Sequence, residues 1–108
     1  MTVEQKVLRK VTKVLDLKKL KKALPREPHV ERIESEEYVN ADGEDALKIT
    51  VMLSDDTTLE QLTGENVVSL KSAIYNALRA ERISLFPYIF LATQAELDEL
   101  KREEEEED

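Results

Sequence analysis

His29 is the chain's one imidazole, so a Ser-His-Asp triad, which needs an imidazole between nucleophile and carboxylate, has a single place to form. Its neighbours Pro28 and Val30 supply neither partner. One histidine cannot make a multi-histidine metal site. The absence of cysteine excludes thiolate metal sites, thiolate nucleophiles and disulfides together. Gly43 and Gly64 are the only glycines, too few for a glycine-rich phosphate loop or a dinucleotide-binding turn. Carboxylates are abundant: Glu34, Glu36 and Glu37, then Asp42, Glu44 and Asp45, then Asp55 and Asp56. A hard cation needs several oxygens converging on one point, and the twelve-residue calcium-loop spacing is missing. A carboxylate pair doing acid-base work needs burial to separate its two pKa values, and nothing in the pattern marks these acids as buried. They read as solvated charge. No catalytic, metal or cofactor-binding residue is assigned, and the expectation is a protein that is not an enzyme and needs no cofactor.

Binding chemistry is better represented. Residues 1–22 carry a net charge of +6, and the remaining 86 residues carry -14. Such separation makes a strong dipole that can steer partners. Lys6, Arg9, Lys10 and Lys13 are the candidate contact residues of this basic segment, for an acidic protein surface or a phosphate backbone. The overall charge of -8 disfavours nucleic acid, because an acidic body repels phosphates within a Debye length of about 8–10 Å. A plainer reading of the lysines is a solvated helix face balancing the acidic body. The second candidate is Phe86, Tyr88 and Phe90, three of the chain's five aromatic residues, at alternate positions. In a strand they share one face, with Ile89 and Leu91 on the other. That strand is either buried on both sides or presents an aromatic patch to a partner or dimer mate. Leu17, Leu20 and Leu24 form a third apolar stripe, read as core or as a dimer seam.

The elements that must position these groups follow from periodicity. Residues 2–24 have helical spacing, with Val3, Val7, Leu8, Val11, Val14 and Leu15 on one arc of about 140°. The apolar stripe then jumps at Asp16. The jump favours a helix break capped by Asp16 over one helix with two contact surfaces. Pro25 and Pro28 end the helical stretch. His29–Val39 reads as a strand whose imperfect alternation suggests a bulge or an exposed edge. Asn40–Glu44 is a turn, and Ala46–Leu53 alternates plainly as the second arm of a hairpin, with Leu47, Ile49, Val51 and Leu53 inward. Thr58 and Gln61 stand at capping-box spacing for a short turn that Gly64 stops. A helix is expected from about Glu65 to Arg82, a short strand over Tyr88–Leu91, and a last helix over 94–103 behind a Thr93–Glu96 capping box. Residues 103–108 are all acidic and read as a disordered tail.

The 108-residue length suits a single domain, here residues 1–102 followed by that tail. The fold class is α+β, a two-layer sandwich of order α-β-β-α-β-α. Its three-stranded mixed sheet carries helices mainly on one face. The crossover through the long helix sets the second and third strands parallel. Whether the third strand lies beside the second or beyond the first is not decided by the pattern. No apolar run is long enough to span a membrane, and the first residues lack a signal-peptide pattern, so a cytoplasmic protein is expected.

The helix ending at Leu24-Pro25, the charged strand, the Leu47–Leu53 alternation and Leu85-Phe86-Pro87-Tyr88 with Phe90 resemble a family of small bacterial proteins without assigned function. In element order the chain also resembles ribosome-binding factor A, whose KH-like domain binds the small ribosomal subunit. That family carries a basic RNA surface and a glycine-containing kink in its long helix, whereas here Ala73–Arg82 has no glycine and the body is acidic. The expected function is binding of an unidentified protein partner or homodimerisation. The alternative is a KH-like RNA or ribosome binder using the basic N-terminal helix.

Overall fold

The computed structural model describes residues 5–106. The part of the first helix expected over residues 2–4 lies outside them. Helix α1 spans Gln5–Val14 and α2 spans Leu17–Leu20. The chain does break between them: the Asp16 carboxylate accepts from the Lys18 backbone N–H at 2.9 Å, capping α2. The break lets both stripes reach one core. Val11, Leu15 and Leu20 are buried in it, and Val7, Leu8, Val14, Leu17 and Leu24 pack against it. The leucine stripe is therefore mainly core.

Strands β1 (Val30–Val39) and β2 (Asp45–Leu53) form the antiparallel hairpin. The expected irregularity is a register shift between Val30 and Arg32, which explains why Val30 and Ile33 both turn inward from positions of opposite parity. The turn between the strands is held by Asn40, whose Oδ1 accepts from the backbone N–H groups of Asp42 and Glu44. Gly43 takes φ +81° there, a conformation open to glycine at no steric cost.

A single 3₁₀ turn at Leu59–Gln61 precedes α3 (Gly64–Ala80). Gly64 opens α3 instead of stopping a helix. Thr63 is its cap, accepting from the Asn66 N–H at 3.1 Å, and a residue in the first turn owes the helix little propensity. The far end closes with Ile83 N–H bonded to Leu78 C=O and Arg82 N–H bonded to Arg79 C=O. This is the Schellman arrangement, which needs a left-handed residue between helix and exit. Arg82 fills that place at φ +58°. A side chain there costs roughly 1 kcal/mol relative to glycine. Arg82→Gly is accordingly expected to raise stability by about 0.5–1 kcal/mol, read as a higher urea midpoint at unchanged slope.

Strand β3 (Pro87–Thr93) runs parallel to β2, and the sheet order is β1-β2-β3. Proline enters at the strand's first residue, as its missing N–H requires. Helix α4 (Gln94–Glu106) follows directly. Its capping box is formed: Thr93 Oγ1 accepts from Glu96 N–H, and Glu96 Oε1 accepts from Thr93 N–H. The helix continues through the acids where a disordered tail was expected from residue 103. Glutamate is a good helix former, and Asp98 stands four residues before Arg102, the favourable order for an acid–base pair along a helix. Glu107 and Asp108 lie outside the described residues.

Helices α1, α2 and α3 cover one face of the sheet. Leu47, Ile49, Val51 and Leu53 of β2 join Leu70, Ile74 and Leu78 of α3 in a single core. Among the described residues, no helix is long and apolar enough to cross a membrane.

Candidate functional site

The other face of the sheet lacks that cover, and register determines what it displays. Opposite each inward residue of β2 the alternate positions point out: Ala46, Lys48, Thr50 and Met52. Tyr38, Glu36, Glu34 and Arg32 of β1 stand beside them, and Tyr88, Phe90 and Ala92 of β3 on the other side pair with Lys48, Thr50 and Met52. Phe86, one residue before β3, continues the same row. Phe86, Tyr88 and Phe90 thus share one face, as their alternation predicts.

The row is joined into a larger aromatic array. Tyr38 and Tyr88 rings lie 5.2 Å apart across the sheet, Tyr88 and Phe86 lie 5.0 Å apart, and Phe86 meets Tyr75 of α3 at 6.3 Å, the last two edge-on. Edge-to-face placement suits the ring quadrupoles. The Lys48 ammonium sits 5.6 Å from the centre of the Phe90 ring and 3.7 Å from a Glu36 carboxylate oxygen. All five aromatic residues of the chain are engaged here. Ala46 on this face is buried, yet Phe86 is 56% and Phe90 45% exposed. The face is therefore aromatic along β3 and charged along β1, with Lys48 of the central strand between the two and the Lys48–Glu36 and Arg32–Glu34 ion pairs on the β1 side. Exposed pairs of this kind contribute at most about 1 kcal/mol; their role is to order charge beside the rings.

One end of this face is closed. Met52 is fully buried although it points away from the main core. At that end the Arg32 guanidinium reaches across to Gln94 Oε1 at 2.6 Å, and Asp55 accepts from the Ala95 backbone N–H. The root of α4 is thus fastened to the end of the sheet.

Lys6, Arg9, Lys10 and Lys13 are exposed on α1, which packs on the opposite, helical side of the sheet. The structure separates the two candidate groups instead of combining them. Among the described residues no ion pair involves any basic residue before Arg32. Tyr38, Tyr75, Lys48 and Glu36 were not among the expected contact residues. Tyr38 could have been found from the hairpin register, which places it opposite Ala46; Tyr75 could not, because its approach to Phe86 depends on where α3 crosses the sheet.

The described acids on β1, the hairpin turn and the following loop are exposed or only part-buried, and no group of three or more His, Asp or Glu is arranged to hold a metal ion among the described residues. The surface offers apolar contact and orientation by charge. Compared with known proteins, the chain matches no family model, no curated protein and no solved structure.

Proposed function

We propose that this protein is a non-enzymatic module that binds another protein through the uncovered aromatic face of its sheet, with homodimerisation as one form of that activity. The observation that carries the reading is the row of Phe86, Tyr88 and Phe90, extended by Tyr38 across the sheet and met at its edge by Tyr75 of α3, with Phe86 and Phe90 about half exposed. Aromatic side chains are enriched at the centres of protein interfaces. Rings already held by strand backbone and by each other lose little rotamer freedom on binding. Affinity comes from covering Phe86 and Phe90; Lys48, Glu36, Arg32 and Glu34 set orientation and association rate.

Sedimentation and pull-down comparisons of the native chain with Phe86→Ser/Phe90→Ser test this. A complex that persists in about 0.5 M salt, where charge attraction is screened to a few ångströms, and that weakens at least about 30-fold in the double variant, as loss of an interface hot spot does, is the expected result. A complex equally strong in the variant would remove the aromatic face from the function.

The exposure of Lys6, Arg9, Lys10 and Lys13 on α1, with no ion pair among the described residues, favours a second reading, binding of RNA or the ribosome along α1. Here binding at low salt is expected to fall steeply as salt rises, with a slope proportional to the phosphates neutralised. Reversing all four charges (K6E/R9E/K10E/K13E) abolishes it. RNA affinity unchanged by that reversal would dismiss the second reading.

A further inference from the structure

A hollow of about 410 Å³ opens between α2, the proline-containing segment after it and the first residue of β1. Leu17, Leu24 and Pro28 give it an apolar floor, and Lys18, Lys21 and Arg26 stand on its rim. The floor follows from the break at Asp16: the second leucine stripe is turned toward the core, but Leu17 at the start of α2 and Leu24 in the turn beyond its end at Leu20 are only half-buried. The three rim cations are exposed and belong to no ion pair among the described residues. An occupant must therefore be apolar on one side and acidic on the other.

The chain itself contains a segment of that chemistry. Residues 94–108 carry a net charge of -7, and residues 1–26 carry +7. Helix α4 presents Leu97 and Leu100 three residues apart, the second 56% exposed, and its described side chains from Asp98 to Glu104 are all exposed. Glu99, Glu103 and Glu104 take part in no ion pair among the described residues. Within one molecule the two do not meet, since none of the residues lining the hollow comes from α4. Nor is there a hinge to bring them together. Gln94, Ala95 and Glu96 are each hydrogen-bonded in place, by Arg32, Asp55 and Thr93, and the helix runs unbroken to Glu106.

We propose that the hollow receives α4 of a second copy of this chain, with Leu97 and Leu100 over the apolar floor and the neighbouring glutamates against Lys18, Lys21 and Arg26. The exchange either closes as a reciprocal pair or continues from copy to copy. It is independent of the aromatic face and differs from it in salt response, because its attraction is between exposed opposite charges.

Sedimentation velocity of the full chain across a concentration series, at about 50 mM and about 0.5 M salt, reads the association. At low salt, dimers or larger species are expected, at least tenfold weaker at high salt. K18E/K21E/R26E and E99K/E103K/E104K are each expected to be monomeric alone. Mixed together they associate again, because each reversed surface then meets its opposite on the other variant. Circular dichroism controls for folding, which these exposed positions leave within about 0.5 kcal/mol. A chain monomeric at low salt at every concentration overturns the proposal. So does association that ignores both reversals and yields only to Phe86→Ser/Phe90→Ser, which would assign self-association to the aromatic face alone. Two reversed variants that stay monomeric when mixed overturn it as well.

Discussion

Truncating Ile49 to alanine is expected to cost the protein about 3–4 kcal/mol. Ile49 is at the middle of the central strand, fully buried, with Ser35 of β1 on one side and Ile89 of β3 on the other. It faces the core built with Leu70, Ile74 and Leu78 of α3. A cavity there is bounded by sheet backbone, which cannot collapse to fill it, so both the lost burial and the residual void are felt. A domain of this kind has about 5–15 kcal/mol in all, and the variant would be close to half unfolded well below the native midpoint. Urea denaturation checks this, with Val68→Ala as the control: Val68 is 63% exposed on α3, and its truncation should stay within about 0.5 kcal/mol. Equal effects at the two positions would contradict the assignment of the core face.

The second large effect is expected at Tyr88, and it separates stability from binding. Tyr88 is the middle ring of the row, 5.2 Å from Tyr38 and 5.0 Å from Phe86. Tyr88→Ala removes two aromatic contacts, each contributing about 0.5–1.5 kcal/mol beyond area burial, together with the burial of a half-buried ring, giving a loss of about 2–3 kcal/mol. Phe90, by contrast, is 45% exposed and touches an ammonium; Phe90→Ala should cost no more than about 1 kcal/mol. Yet Phe90 belongs to the proposed interface, so its removal should weaken a partner far more than it weakens the fold. Thermal or urea unfolding measured beside the binding assays gives both quantities. A Phe90→Ala chain destabilised as much as Tyr88→Ala would mean that the exposed ring is structural and not a contact residue.

Individual elements show how far the pattern of residues reached. The stripe jump at Asp16 announced a break because a straight helix cannot present two stripes about 140° apart to one core. The parity fault in β1 announced a bulge for the same kind of reason, since side-chain direction alternates strictly along a strand. Phe86, Tyr88 and Phe90 could be placed on one face from spacing alone. Gly64 and the acidic run from residue 103 misled, and for related reasons. Gly64 was judged by the conformational freedom of its residue type and the acidic run by its charge and terminal place, whereas Thr63 at the helix start and the helix already nucleated from Gln94 outweighed them. Propagating an existing helix costs far less than starting one.

What local chemistry determined is the set of elements, their inward faces, the separation of charge between the two ends of the chain and the absence of thiols and glycine loops. The elements and their faces depend on residues within a few positions of one another, and the charge separation and missing residue types on composition alone. What only the folded chain decided is the place of β3 beside β2, the approach of Tyr38 and Tyr75 to the β3 aromatics, the opposite placement of the basic helix and the aromatic face, and the hollow behind Pro25. Apart from the hollow, whose lining falls within residues 17–30, these depend on residues tens of positions apart brought together by the crossover through α3. Spacing along a backbone specifies direction relative to its own element; it carries no information on which other element stands in that direction.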